Sequence, residues 1–293
     1  MIEVLVAVDG SPHAERALDW ALATAGRHAV PLRVLHVDRD GEHTPDHGDV
    51  LAREARARRG ASDDGPDQVT GSCVHIVGRS VARTVLEQRG DADLLVVGMR
   101  GRGGFTGLVL GSVSHQLAAY APVPVAVVPD VADTGDGGDG SSGGDRPLVV
   151  GVDGTTGAGA ALAWALDVAA AAQRRLVAVH AYRSILESSP RDSVAGLSRS
   201  AVAAMEQRAH DVATQTLESV VRAAKAGRVD VDVELVVEEG SPNEVLAAHA
   251  ARTGSELAVG RHGEVGAMSR LGSISQRCIR AARGPVVVVP QDS

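Results

Sequence analysis

The segment from Val96 to Leu117, VVGMRGRGGFTGLVLGSVSHQL, sets six glycines between an apolar run and a stretch of helical character. Glycine relieves strain wherever a turn is tight, but a plain turn needs one or two. Six let a guest approach the backbone closely. A phosphate is the guest such backbone recruits at a helix start, because the first amides of a helix lack intrahelical partners and the helix dipole favours negative charge. The spacing runs Gly98, two residues, Gly101, nine residues, Gly111, then Ser112-Val113-Ser114. Gly111 falls just before the expected helix, so the hydroxyls of Ser112 and Ser114 are expected beside free amides, a geometry that suits a triphosphate. The chain has no GxxxxGK[ST] pattern and so does not read as a P-loop NTPase.

The elements that must hold this loop occur twice. EVLVAVDGSPHAERALDWAL from Glu3 and PLVVGVDGTTGAGAALAWAL from Pro147 both run from an apolar strand through Val-Asp-Gly-Ser/Thr into an Ala-rich helix. PLRVLHVD matches RLVAVHAY, DLLVVGMRG matches ELAVGRHG, and the copies close on APVPVAVVP and GPVVVVP. Asp9 to Asp153 is a shift of 144 and Gly98 to Gly260 one of 162, so the second copy carries about 18 more residues between them. They fall in a long helix candidate over residues 193–227, where the first copy has only the shorter, charged DVLAREARARRG.

Each copy reads β-α-β-α-β-α-β-α-β, with first-copy strands expected near residues 4–8, 32–37, 72–77, 94–97 and 123–128. Near-continuous Val/Leu runs imply strands covered on both faces. The expected fold class is therefore α/β: two tandem doubly wound domains, each a five-stranded mostly parallel sheet with helices on both faces. The boundaries are 1–129, a flexible linker over 130–145 with six Gly and five Asp, and 146–293. Such sheets bind ligands beyond the carboxyl ends of their strands, which is where the Asp9 turn and the Gly98 loop both lie. Each copy ends in an all-apolar strand, an aggregation hazard if left as an open edge. The two copies are accordingly expected to pack as a pseudo-dimer through residues 123–128 and Val286–Val289.

Composition narrows the function. A formal charge of −8 argues against a nucleic-acid binder, which needs a basic surface to release phosphate counterions. Only five residues are aromatic, so the cores are expected from Val, Leu and Ala. Cys73 and Cys278 form no CxxC pair, which fits a reduced compartment. No apolar run reaches the roughly 18 residues of a membrane span, and a cytoplasmic protein is expected.

The G-x2-G-x9-G-S spacing after strand four, paired with Val-Asp-Gly-Ser after strand one, resembles the ATP-binding universal stress proteins. The tandem arrangement is similar to that of the two-domain actinobacterial members. The resemblance covers nearly the whole chain apart from the linker and residues 41–70. It implies that Asp9 and Val37 hold the adenosine, and that Gly98, Gly101, Gly111, Ser112, Val113 and Ser114 cradle ribose and phosphates. Val8, Gly10, Ser11 and Arg100 complete the first-copy set. In the second copy it implies Asp153, Gly154, Thr155, Ala181, Gly260, Gly263, Gly272, Ser273, Ile274 and Ser275. Here the loop is one residue shorter, and Glu264 brings a negative charge towards the phosphate position, so weaker binding is expected.

The resemblance implies ATP as ligand, Mg²⁺ arriving through its phosphates, an adenine nucleotide as partner, and a homodimer of whole chains. The reading is a nucleotide-sensing or stress-response factor, with enzymatic activity left open because the loops name no catalytic base or metal clamp. A slow ATP hydrolase on the same fold and a ligand-free interaction module stand as alternatives. Three other motifs read as structural. SSGGDR (141–146) is similar to the SGGxDS loop of ATP pyrophosphatases but precedes its strand. RGRGG (100–104) occurs once in an acidic chain. His36 and His180 sit at equivalent strand positions with no serine elbow or paired carboxylate beside them.

Overall fold

The computed structural model describes residues 3–38, 51, 55, 69–76, 80–101, 110–129, 146–184, 197–261 and 271–291. The Val/Leu runs are strands, and they are buried because helices cover both faces of the sheet. In the first copy these are β1 (Val4–Val8), β2 (Leu32–Asp38), β3 (Val69–His75), β4 (Leu94–Gly98) and β5 (Val125–Val128). Three first-copy helices are described: α1 (Pro12–Arg27), α2 (Val81–Glu87) and α3 (Ser112–Tyr120). The second copy alternates β6 (Leu148–Gly151), α4 (Thr156–Ala171), β7 (Leu176–Tyr182), α5 (Arg199–Lys225), β8 (Val233–Glu239), α6 (Pro242–Thr253), β9 (Leu257–Gly260), α7 (Ser273–Ala281) and β10 (Val286–Val289).

Within each copy all strand pairs are parallel, in the orders β3-β2-β1-β4-β5 and β10-β9-β6-β7-β8. The two five-stranded sheets are not separate. β5 and β10 pair antiparallel, Val286 opposite Val127 and Val288 opposite Val125, so the copies share one ten-stranded sheet. The expected pairing through the last strands is what joins them. β2 and β4 each run one residue beyond expectation, to Asp38 and Gly98, and two other strands differ by more. β3 begins at Val69 and ends at His75, not 72–77, because its ladder with β2 runs from Leu32–Val69 to Asp38–His75, through a Thr-Gly-Ser run with no apolar pattern. β5 begins at Val125 and not at residue 123, since Val123 stands between prolines that cannot donate to a ladder.

Side chains alternate across the sheet. Val4 and Val6 pack with α1 residues such as Ala17 and Leu18 on one face, in a cluster that also takes Leu162 of α4 and Leu217 of α5. Leu5 belongs to the cluster on the other face, which includes Val85 of α2, Leu117 of α3, Val245 of α6 and Ile279 of α7. Both clusters draw residues from both copies, so the core runs through the joint. The helix starts follow the capping chemistry. Ser11 Oγ accepts from Ala14 N at 3.2 Å, Thr155 Oγ1 from Ala158 N at 3.2 Å, and Ser198 Oγ from Ala201 N at 3.2 Å. That last cap sets the start of α5 inside the expected 193–227. The linker at 130–145, most of the segment between β2 and β3, and Gly263 and Glu264 lie outside the described residues. Among the described residues no helix is long and apolar enough to cross a membrane.

Candidate functional site

At the carboxyl end of β1 the chain turns through Asp9, whose Oδ1 accepts from Ser11 N at 3.0 Å, and Gly10 at φ +73°, a left-handed conformation that glycine adopts without strain. At the neighbouring end of β4, a Cβ on Gly98 would stand 2.8 Å from the His13 carbonyl oxygen, so only a glycine lets β4 close onto the first turn of α1. A Cβ on Gly101 would run into Asp9 Oδ2, which sets this stretch of loop backbone against the Asp9 carboxylate. The loop is pinned at both ends. Met99 N donates to Val128 O at 2.7 Å, and Gly111 N donates to Met99 O at 2.8 Å.

Gly111 is the N-cap of α3, so the amides of Ser112, Val113 and Ser114 form its first turn. The two serines differ from each other. Ser112 is exposed, whereas Ser114 is buried and donates through Oγ to Gly98 O at 2.6 Å, tying α3 to the end of β4 and committing its proton there. Val37, at the end of β2, is half-buried, and Val8 is buried. His36 is a packed strand histidine, its Nδ1 donating to Val8 O at 2.9 Å.

The second copy repeats the construction. Asp153 Oδ1 accepts from Thr155 N at 3.0 Å and Thr155 Oγ1 at 2.7 Å. Gly154 turns at φ +85°, Gly272 N donates to Arg261 O at 2.8 Å, and Ser275 Oγ donates to Gly260 O at 2.7 Å. Around these residues opens a cleft of about 190 Å³. Asp153, Thr155, Ala181, Gly260, Gly272, Ser273, Ile274 and Ser275 all line it. So do Pro242 and Leu246 of α6, which the motif spacing did not mark. Their signal was the Ser-Pro helix start with an apolar residue four positions on. His180, the counterpart of His36, differs: its Nδ1 is buried with no hydrogen-bond partner among the described residues.

Against known proteins, the model described as the universal stress protein family matches residues 2–129 and 146–290. The chain belongs to the universal stress protein family. Universal stress protein Rv1996 of Mycobacterium tuberculosis is 28% identical over 320 residues, spanning 99% of this chain and 96% of that protein. Universal stress protein Rv2005c of the same organism is 29% identical over 305 residues, spanning 98% and 97%. A crystallised universal stress protein from Archaeoglobus fulgidus superposes with a TM-score of 0.61 at 20% identity, over 99% of this chain and 98% of its own, a likeness of fold.

In this universal stress protein the first-copy turn carries charges that the family motif does not include. His13 and Arg16, one helical turn apart at the start of α1, stand beside it, and Arg16 Nη2 donates to His13 Nδ1 at 3.3 Å. Burial, then the nearby Arg16 and Arg100 guanidiniums, hold the His13 imidazole below its usual 6.5 against the opposing pull of Asp9. Arg100 and Asp9 are thus both near enough to His13 to act on its charge. The i, i+3 spacing just after the Ser11 cap was the available signal.

Proposed function

We propose that this universal stress protein binds ATP, with Mg²⁺ carried on the phosphates, and serves as a nucleotide-sensing stress-response factor. The observation that carries the reading is the meeting of the Asp9 carboxylate with the Gly101 backbone beside the first turn of α3. A carboxylate there accepts hydrogen bonds from a nucleoside, while side-chain-free backbone and helix-start amides offer donors to phosphate oxygens. The equivalent second-copy cleft extends the reading to both halves. The function is one of binding, its output a change in the protein's state when nucleotide is held. The test is mass spectrometry of small molecules released on denaturing the purified protein, followed by calorimetric titration with MgATP. Co-purified adenine nucleotide, or MgATP binding that Gly111→Val abolishes at the tighter site, is expected. A chain that releases none and gives no heat with MgATP would overturn the reading.

A further inference from the structure

The two sites share a backbone but not a charge. In the first copy the end of β4 rests on His13, with Gly98 held 2.8 Å (for a built Cβ) from the His13 carbonyl oxygen and 3.1 Å from its Cβ. In the second copy the end of β9 rests on the equivalent residue, which is Gly157: a Cβ on Gly260 would stand 2.5 Å from the Gly157 carbonyl. Arg16, one turn further along α1, is replaced by Ala160 on α4. Asp153 is the one charged residue lining the second cleft, among the described residues, and its remaining walls are apolar or hydroxylic. Arg261 is turned to the joint, where its Nη1 donates to Ala121 O of the first copy at 2.6 Å.

We propose that the two sites select adenine ligands by phosphate charge: the first takes the polyphosphate, through Arg16 and Arg100, and the second an adenine nucleoside with little or no phosphate charge. The inference rests on the adenine-nucleotide reading above. Two guanidiniums beside a glycine loop raise the local potential for a polyanion. Among the described residues the second cleft is lined by a single charge, the Asp153 carboxylate, which repels a polyanion and does not oppose a neutral nucleoside. One chain then reports two forms of the adenylate pool, each from its own half.

The test titrates the full-length protein with MgATP, with adenosine, and with adenosine after saturation by MgATP. Adenosine is expected to bind the ATP-saturated protein at one site with nearly undiminished affinity. Exchanging both Arg16 and Arg100 for Ala should weaken MgATP about tenfold at low salt and leave that adenosine site unchanged. Arg16→Lys in the wild-type background, which keeps the charge, should retain most of the ATP affinity, separating charge from packing. Ala160→Arg should raise the affinity of the second site for MgATP. Saturating MgATP that blocks all adenosine binding, or an Arg16/Arg100 variant that loses ATP and adenosine in equal measure, would overturn the charge selection while leaving nucleotide binding intact. MgATP binding with no adenosine site on the saturated protein would likewise overturn the charge selection alone, whereas binding of neither ligand would overturn the underlying reading.

Discussion

Gly101 shows how much a single methyl group decides. Its Cβ would fall on Asp9 Oδ2, so Gly101→Ala must displace either the loop or the Asp9 turn. Nucleotide affinity at the first site is expected to drop about tenfold, roughly 1.4 kcal/mol, with circular dichroism unchanged. Calorimetric titration of the two proteins checks it. Gly111→Val is expected to remove the tighter site altogether, because a branched side chain there meets Met99 O, 3.3 Å from a built Cβ. Gly263→Val should cost less. The serines separate in another measurement. Ser114→Ala leaves the Gly98 carbonyl without its buried donor and should lower unfolding stability by about 1–3 kcal/mol in urea. Ser112→Ala, at an exposed position, should stay within about 0.5 kcal/mol.

The helices begin and end by local rules, and these too carry measurable consequences. α1 and α4 are each followed, one residue past the C-cap, by a non-glycine in the left-handed region: Ala29 at φ 49° and Gln173 at φ 51°. α6 ends conventionally, with Gly254 at φ +61°. Gln173→Gly removes backbone strain at an exposed position, offset in part by a more flexible unfolded chain, and should raise stability by about 0.5 kcal/mol. Gly254→Ala should lower it by about 1 kcal/mol, since the new Cβ adds strain at that φ and would sit 3.0 Å from Arg146 Nη1. Thermal unfolding of both variants at pH 7 tests the pair, and opposite signs are the expected outcome.

The whole molecule turns on the joint between the copies. β5 and β10 close each other's edge, and Glu256 gathers groups from both halves around it: Arg27 Nη2 at 2.8 Å and Trp20 Nε1 at 3.2 Å from the first, Arg174 Nη1 at 2.8 Å from the second. Burial alone would push the Glu256 carboxyl up, but Arg27 and Arg174 outweigh it and hold it below 4.5. Its contribution is therefore present above that value and lost as pH falls below it. His28, at the end of α1, is held down to about 4 from 6.5 by burial and then by Arg27, so folding excludes a proton that the unfolded chain takes up below pH 6.5. Both shifts act in one direction. The melting temperature should fall between pH 6.5 and 4, with His28 contributing on the order of 2 kcal/mol once its partial exposure is allowed for. A flat profile over that range would refute the assignment.

The same joint predicts the fate of a chain cut within residues 135–144. Its halves should stay together at micromolar concentration on a sizing column. Glu256→Ala, which strands the buried Arg174, should cost about 3–5 kcal/mol and let them part.

Much of this was written in the chain itself. The duplication, the strand and helix order, and the glycine spacing are local, and an all-apolar final strand such as VVVV at 286–289 demands a cover that its twin can supply. Periodicity reports which face a residue turns to, not what arrives at that face from far along the chain. Glu256 reads as the residue before a strand until Arg27, 229 positions away, reaches it. Ser114 reads only as a hydroxyl at a helix start, and the fold alone shows that it ties α3 to Gly98 O. The largest decision left to tertiary structure is direction. Because β5 and β10 run antiparallel, the carboxyl ends of the two parallel halves point to opposite edges of one sheet. The end of β5 and the start of β6 thereby share an edge only three strand spacings apart, about 14 Å, well within reach of sixteen linker residues. The two candidate sites consequently open on opposite sides of the molecule, an arrangement that pairing geometry dictates and no residue type encodes.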